Sequence, residues 1–129
     1  MDIQTIRNTL QREDRVIFAY LYGSALTEKS YNDIDIAIYA QPQNNYLGLS
    51  TDIQILLHEH TDIVPDIFDI KIINDILIDG DIFTLLYLKS VFESNCLLID
   101  KDFDIRSNYI ENFSMKYREC EGLMDELLR

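Results

Sequence analysis

The sequence predicts an α/β (α+β) domain: a small β-sheet flanked by helices and closed by one long C-terminal helix. Three observations carry this. Runs of β-branched and aromatic residues (Val16 to Tyr22, Asp33 to Tyr39, Ile63 to Ile73) alternate with stretches whose apolar residues recur every three or four positions. The last stretch, Ile105, Tyr109, Phe113, Tyr117, Cys120, Leu123 and Leu127, keeps that spacing to the end of the chain. With 129 residues and 47% hydrophobic content, the chain suits a single domain, 1–129, with one core and no disulfide support.

The elements follow in order. Ile3, Ile6 and Leu10 have helical spacing, and the polar stretch from Gln11 to Arg15 ends that helix. Val16 to Tyr22 reads as a buried strand that delivers Gly23 and Ser24 at its end, with one helical turn predicted over Ala25 to Ser30. Asp33 to Tyr39 is the second strand, stopped by Gln41-Pro42-Gln43-Asn44-Asn45. Leu47, Ile53, Leu56 and Leu57 form the stripe of a helix from about Leu49 to His60, with Ser50 or Thr51 as its cap. Ile63 to Ile73 reads as a third strand and Asn74 to Gly80 as a turn or short helix. A helix over Ile82 to Glu93 and a short strand over Cys96 to Ile99 lead into the long helix from Phe103.

Composition narrows the function. There are 23 acidic against 11 basic residues, a formal charge of -12. Phosphate backbones are held mainly by lysine and arginine, so direct nucleic-acid binding and polymerisation on a long template are disfavoured. The surplus suits a basic protein partner, or simply solubility. No secretory signal pattern opens the chain, because Asp2, Arg7, Arg12 and Glu13 interrupt it, and no long uncharged apolar stretch follows, so a cytoplasmic location is expected. Cys96 and Cys120 lack metal-ligand spacing and read as small, partly buried thiols. His58-Glu59-His60 is not a zinc pattern, since side chains two apart on a helix do not share a face.

The chemistry concentrates in Leu21 to Ile38. Side chains two apart on a strand share a face, so Asp33 and Asp35 project together while Ile34, Ile36 and Ile38 point the other way. Paired carboxylates repel each other unless a cation compensates, and magnesium takes oxygen ligands. Gly23 lets backbone approach a ligand closely, and exposed N–H groups with the Ser24 hydroxyl suit phosphate oxygens. Tyr20, Tyr22, Tyr31 and Tyr39 surround the motif; core packing accounts for most of them, with Tyr22 or Tyr31 placed to stack on a nucleobase. A third carboxylate on a neighbouring strand would complete a two-metal phosphoryl site. The third strand offers Asp62, Asp66 and Asp69, and alternation leaves the choice open between the last two, which face opposite sides of a regular strand.

Gly23-Ser24, a loop, then Asp33-Ile34-Asp35 resembles the signature of the nucleotidyltransferase superfamily related to DNA polymerase beta, and the chain's layout is similar to its minimal members. Members carry a longer loop with an arginine after the serine. Here eight residues, Ala25 to Asn32, intervene without one, and Lys29 is the loop cation, a point charge rather than a bidentate fork. The resemblance implies a mixed sheet, ATP as substrate and two magnesium ions on Asp33, Asp35 and a third carboxylate. The similarity of Val64-Pro65-Asp66-Ile67-Phe68-Asp69 to the family's third-acid segment puts that residue at Asp66, with Asp69 next. It further implies AMP transfer to a tyrosine of a HEPN-type ribonuclease toxin, with this chain as antitoxin. The rivals are an antitoxin that acts by binding alone and a small-molecule nucleotidyltransferase of the aminoglycoside-modifying kind.

Overall fold

A computed structural model describes residues 1–26 and 32–127. Four strands, β1 (Val16–Tyr22), β2 (Ile34–Ala40), β3 (Phe68–Ile72) and β4 (Leu97–Asp100), form one sheet in the order β3-β2-β1-β4. β1 pairs antiparallel with both β2 and β4, and β2 pairs parallel with β3, so the sheet is mixed.

The helices are α1 (Ile3–Arg12), α2 (Tyr46–Thr61), α3 (Ile82–Glu93) and α4 (Phe103–Leu127). Alternation along the strands divides the core in two. One layer packs Ile34, Ile36 and Ile38 against Ile6 and Leu10 of α1 and Leu49, Ile53 and Leu57 of α2. The other packs Phe18, Tyr20 and Ala37 against Leu85 and Leu88 of α3 and Tyr109 and Phe113 of α4. No helix among the described residues is long and apolar enough to cross a membrane.

Local chemistry sets the boundaries. Asp2 accepts from the Gln4 and Thr5 amides at 3.0 and 3.3 Å, and Asp81 accepts from Thr84 at 2.9 Å, each satisfying orphan donors of a first turn. α2 starts three residues earlier than its apolar stripe suggests, because Asn45 rather than Ser50 or Thr51 is its cap, accepting from the Gly48 amide at 2.9 Å. Asn74 closes the end of β2: its amide accepts from Ala40 N at 2.8 Å and donates to Ala40 O at 2.7 Å.

The third strand differs most from its sequence expectation. It begins at Phe68, not Ile63, since Pro65 offers no ladder N–H and opens a 3-10 turn over Pro65–Ile67. Both cysteines are free and partly buried, as expected. His58 turns its Nδ1 to the Ile63 carbonyl at 2.9 Å, a local contact beyond the end of α2. Lys29 and Tyr31 lie outside the described residues.

Candidate functional site

Strand register assembles the site. Tyr22, the last residue of β1, stands opposite Asp35 of β2, and Asp35 stands beside Asp69 of β3. Neighbouring strands are about 4.8 Å apart, so Tyr22, Asp35 and Asp69 make a transverse row across three strands. All three point to the face that α3 and α4 share, and Asp33, two residues before Asp35, is exposed at its rim.

Glycine is required at the turn above this row. Gly23 has φ +84, and a Cβ built there would collide with the Asp35 carboxylate oxygen and lie 3.3 Å from its Cγ. The carboxylate therefore packs onto the glycine backbone. Ser24 follows at once, opening a 3-10 turn over Ser24–Leu26 that forms the described part of the helical turn expected from Ala25. Gly23, Ser24, Asp33 and Asp35 are thus brought together as the sequence indicates.

Asp66 is not in this row. It lies exposed in the 3-10 turn ahead of β3, while Asp69, the runner-up, sits beside Asp35. The physical reason is the late start of the strand: from Phe68 onward, Phe68, Ile70 and Ile72 face one layer while Asp69 and Lys71 face the other. The apolar-polar alternation Phe68-Asp69-Ile70-Lys71-Ile72 is the signal in the sequence that singles out Asp69.

The charges are crowded. Burial, then the charge of Asp69 and a hydrogen bond that protonated Asp35 donates to it, then Asp33, push the Asp35 carboxyl up to about 6. The Tyr22 hydroxyl is pushed up to about 12, mainly by burial, with Asp35 and Asp69 adding to it. Such a group of hard oxygen donors, with no lysine or arginine in salt-bridge contact with it among the described residues, fits a divalent cation of the magnesium class. Among the described residues no three His, Cys, Asp or Glu side chains already converge at metal-ligand spacing; the fold supplies the Asp35–Asp69 pair, with Asp33 beside it.

Two further side chains, not singled out by sequence reasoning, border the row. Tyr87 of α3 sets its hydroxyl 2.8 Å from that of Tyr22, and Lys71 of β3 holds its Nζ 4.7 Å from the centre of the Tyr87 ring. A cleft of about 570 Å³ lies elsewhere, between α3 and α4 and lined by Phe92, Phe113 and Tyr117 among others. The carboxylate row is the better candidate because it sets paired acids against the Gly23-Ser24 turn.

Known proteins share this fold. Over its full length the chain is similar to two solved structures: a doubly mutated toxin–antitoxin MntA-HpeT (16% identity, TM-score 0.65, 100% of both chains covered) and a toxin–antitoxin with AMP-PNP (18%, 0.64, 100% of both). At these identities the likeness shows a common fold. No curated protein matches. The family described as "Polymerase beta, Nucleotidyltransferase" matches residues 4–104, which include the whole carboxylate row. The chain belongs to the polymerase beta nucleotidyltransferase family.

Proposed function

We propose that this chain is a magnesium-dependent nucleotidyltransferase that moves AMP from ATP to the hydroxyl of a tyrosine on a HEPN-type ribonuclease toxin, acting in the cytoplasm as its antitoxin. The observation that carries the reading is the placement of Asp35 and Asp69 side by side directly beneath Gly23-Ser24. The toxin assignment draws on the similarity to MntA-HpeT structures, and the choice of ATP on the neighbour with AMP-PNP. A charge of -12 suits a basic protein acceptor and opposes a nucleic-acid one.

In this reading Gly23 and Ser24 hold the β and γ phosphates, with Lys29 as the loop cation. Asp33, Asp35 and Asp69 hold the divalent cations, Asp69 taking the place sequence similarity suggested for Asp66. Bound there, magnesium would neutralise the triphosphate and stabilise charge on the entering and leaving oxygens. Asp69 accepts the proton of the acceptor hydroxyl. The freed oxygen attacks the α-phosphorus in line, the bond to the bridging oxygen breaks, and pyrophosphate leaves. Gly23 keeps backbone, carboxylate and phosphate within reach of one another, because nothing larger than hydrogen fits between its Cα and Asp35.

The test incubates purified chain with magnesium, labelled ATP and a HEPN-type protein from a neighbouring gene. Label on a tyrosine of that protein, lost in Asp35→Ala and Asp69→Ala, is the expected result. Inhibition of the ribonuclease that survives both substitutions would replace the enzyme with an antitoxin that acts by binding alone. Label reaching only an added aminoglycoside would move the acceptor to small molecules.

A further inference from the structure

The Tyr22–Tyr87 pair holds one more hydrogen than it uses. Two phenol hydroxyls 2.8 Å apart carry two hydrogens, and the bond between them takes one. Among the described residues neither hydroxyl makes another hydrogen bond, although Tyr22 stands directly across from Asp35 in the row. The pair is built with care: the rings meet edge to face with centroids 5.5 Å apart, and the Lys71 ammonium lies over the Tyr87 ring. Both side chains are half-buried. Phenylalanine would pack equally well there without desolvating a hydroxyl, so packing alone does not account for two tyrosines.

Position indicates what the spare hydrogen is for. Tyr22 immediately precedes Gly23-Ser24 and shares a face with Asp35 and Asp69. Around a row of carboxylates, a phosphate needs donors that do not compete with the cation for those carboxylates, and a neutral hydroxyl is such a donor. Among the described residues no ion pair ties an arginine to this row.

We propose that Tyr22 is a nucleotide-contacting residue: Tyr87 donates to Tyr22, and the Tyr22 hydroxyl donates to an oxygen of the bound triphosphate. Tyr87, steadied by Lys71, is a positioning residue that fixes the direction of that donation. This order leaves the free hydrogen on Tyr22, the residue that stands opposite Asp35. The inference rests on the nucleotidyl-transfer reading and names a group on which the affinity of that site depends.

The experiment measures calorimetric affinity of the full chain for AMP-PNP at fixed magnesium, for wild type, Tyr22→Phe, Tyr87→Phe, the double variant and Asp35→Ala. Losing a hydrogen bond to a charged oxygen weakens binding about tenfold in Tyr22→Phe, or ~1.4 kcal/mol. Tyr87→Phe weakens it about threefold, and the double variant matches Tyr22→Phe, because Tyr87 acts only through Tyr22. Both rings are retained, so the melting temperature stays near that of wild type. A purely structural role would do the reverse, lowering the melting temperature and leaving affinity alone. Wild-type affinity in Tyr22→Phe, with Asp35→Ala weakened, overturns this inference and leaves nucleotidyl transfer standing. Additive losses in the double variant overturn the positioning role of Tyr87, and a wild-type chain that does not bind AMP-PNP overturns both readings.

Discussion

Replacing Asp35 by asparagine should make the metal-free protein more stable while removing its function. In the fold its carboxyl sits at about 6 instead of 3.8, so the native state holds that proton more tightly than the unfolded chain does. Stability from this group is therefore complete below about pH 4, falls as the pH rises toward 6, and is missing above it. The rise from 3.8 to about 6 corresponds to about 3 kcal/mol as an upper bound. Asp35 is only half-buried, and solvent screening reduces this to ~1 kcal/mol. For a domain of this size that is about 4 °C in melting temperature. The assay is thermal unfolding in chelator at about pH 7.5 and pH 4. Asp35→Asn should melt above wild type at the higher pH, and the gap should close at the lower. Added magnesium should raise the wild type alone. An asparagine variant that melts below wild type at the higher pH would refute the electrostatic reasoning, since it would mean that the charged carboxylate is compensated within the fold.

Gly23→Ala should lower stability by about 1–2 kcal/mol from its left-handed backbone alone and should weaken AMP-PNP binding by displacing Asp35; thermal melts and calorimetry check both. Asp69→Asn should cost about a hundredfold or more in transfer rate, the scale of a lost general base, while Asp66→Asn stays within about twofold, which single-turnover label transfer resolves. Asn74→Ala leaves both polar groups of Ala40 without their side-chain partner and should lower unfolding free energy by about 2 kcal/mol in denaturant titrations, with affinity for AMP-PNP unchanged at low temperature.

Much of this was legible in the residues. Val16 to Tyr22 and Ile82 to Glu93 carry propensity and periodicity that agree with their final packing, and their ends coincide with the observed elements. The closeness of Gly23 to Asp35, with Asp33 two residues away, was readable because period two places the acids together and a glycine before a polar turn marks close approach. Asp69 was harder. The β-branched run from Ile63 looks continuous, and only the missing N–H of Pro65 delays the strand to Phe68 and so decides which acid joins the row. Asn45 was masked as a cap by the later start of the apolar stripe. Alternation along β3 places Lys71 on the face of Asp69, but Tyr87 could not be found locally, since what brings it to Tyr22 is the packing of α3 over the sheet, a tertiary fact.

The most direct measurement is a crystal soaked with manganese and AMP-PNP, read by anomalous scattering at the manganese edge. A peak within coordination distance of Asp35 and Asp69, with the triphosphate reaching Gly23 and Ser24, is the expected result. A nucleotide bound elsewhere on the chain, or an ordered pair of carboxylates with no anomalous peak between them, would contradict the assignment of this row as a nucleotidyl-transfer centre.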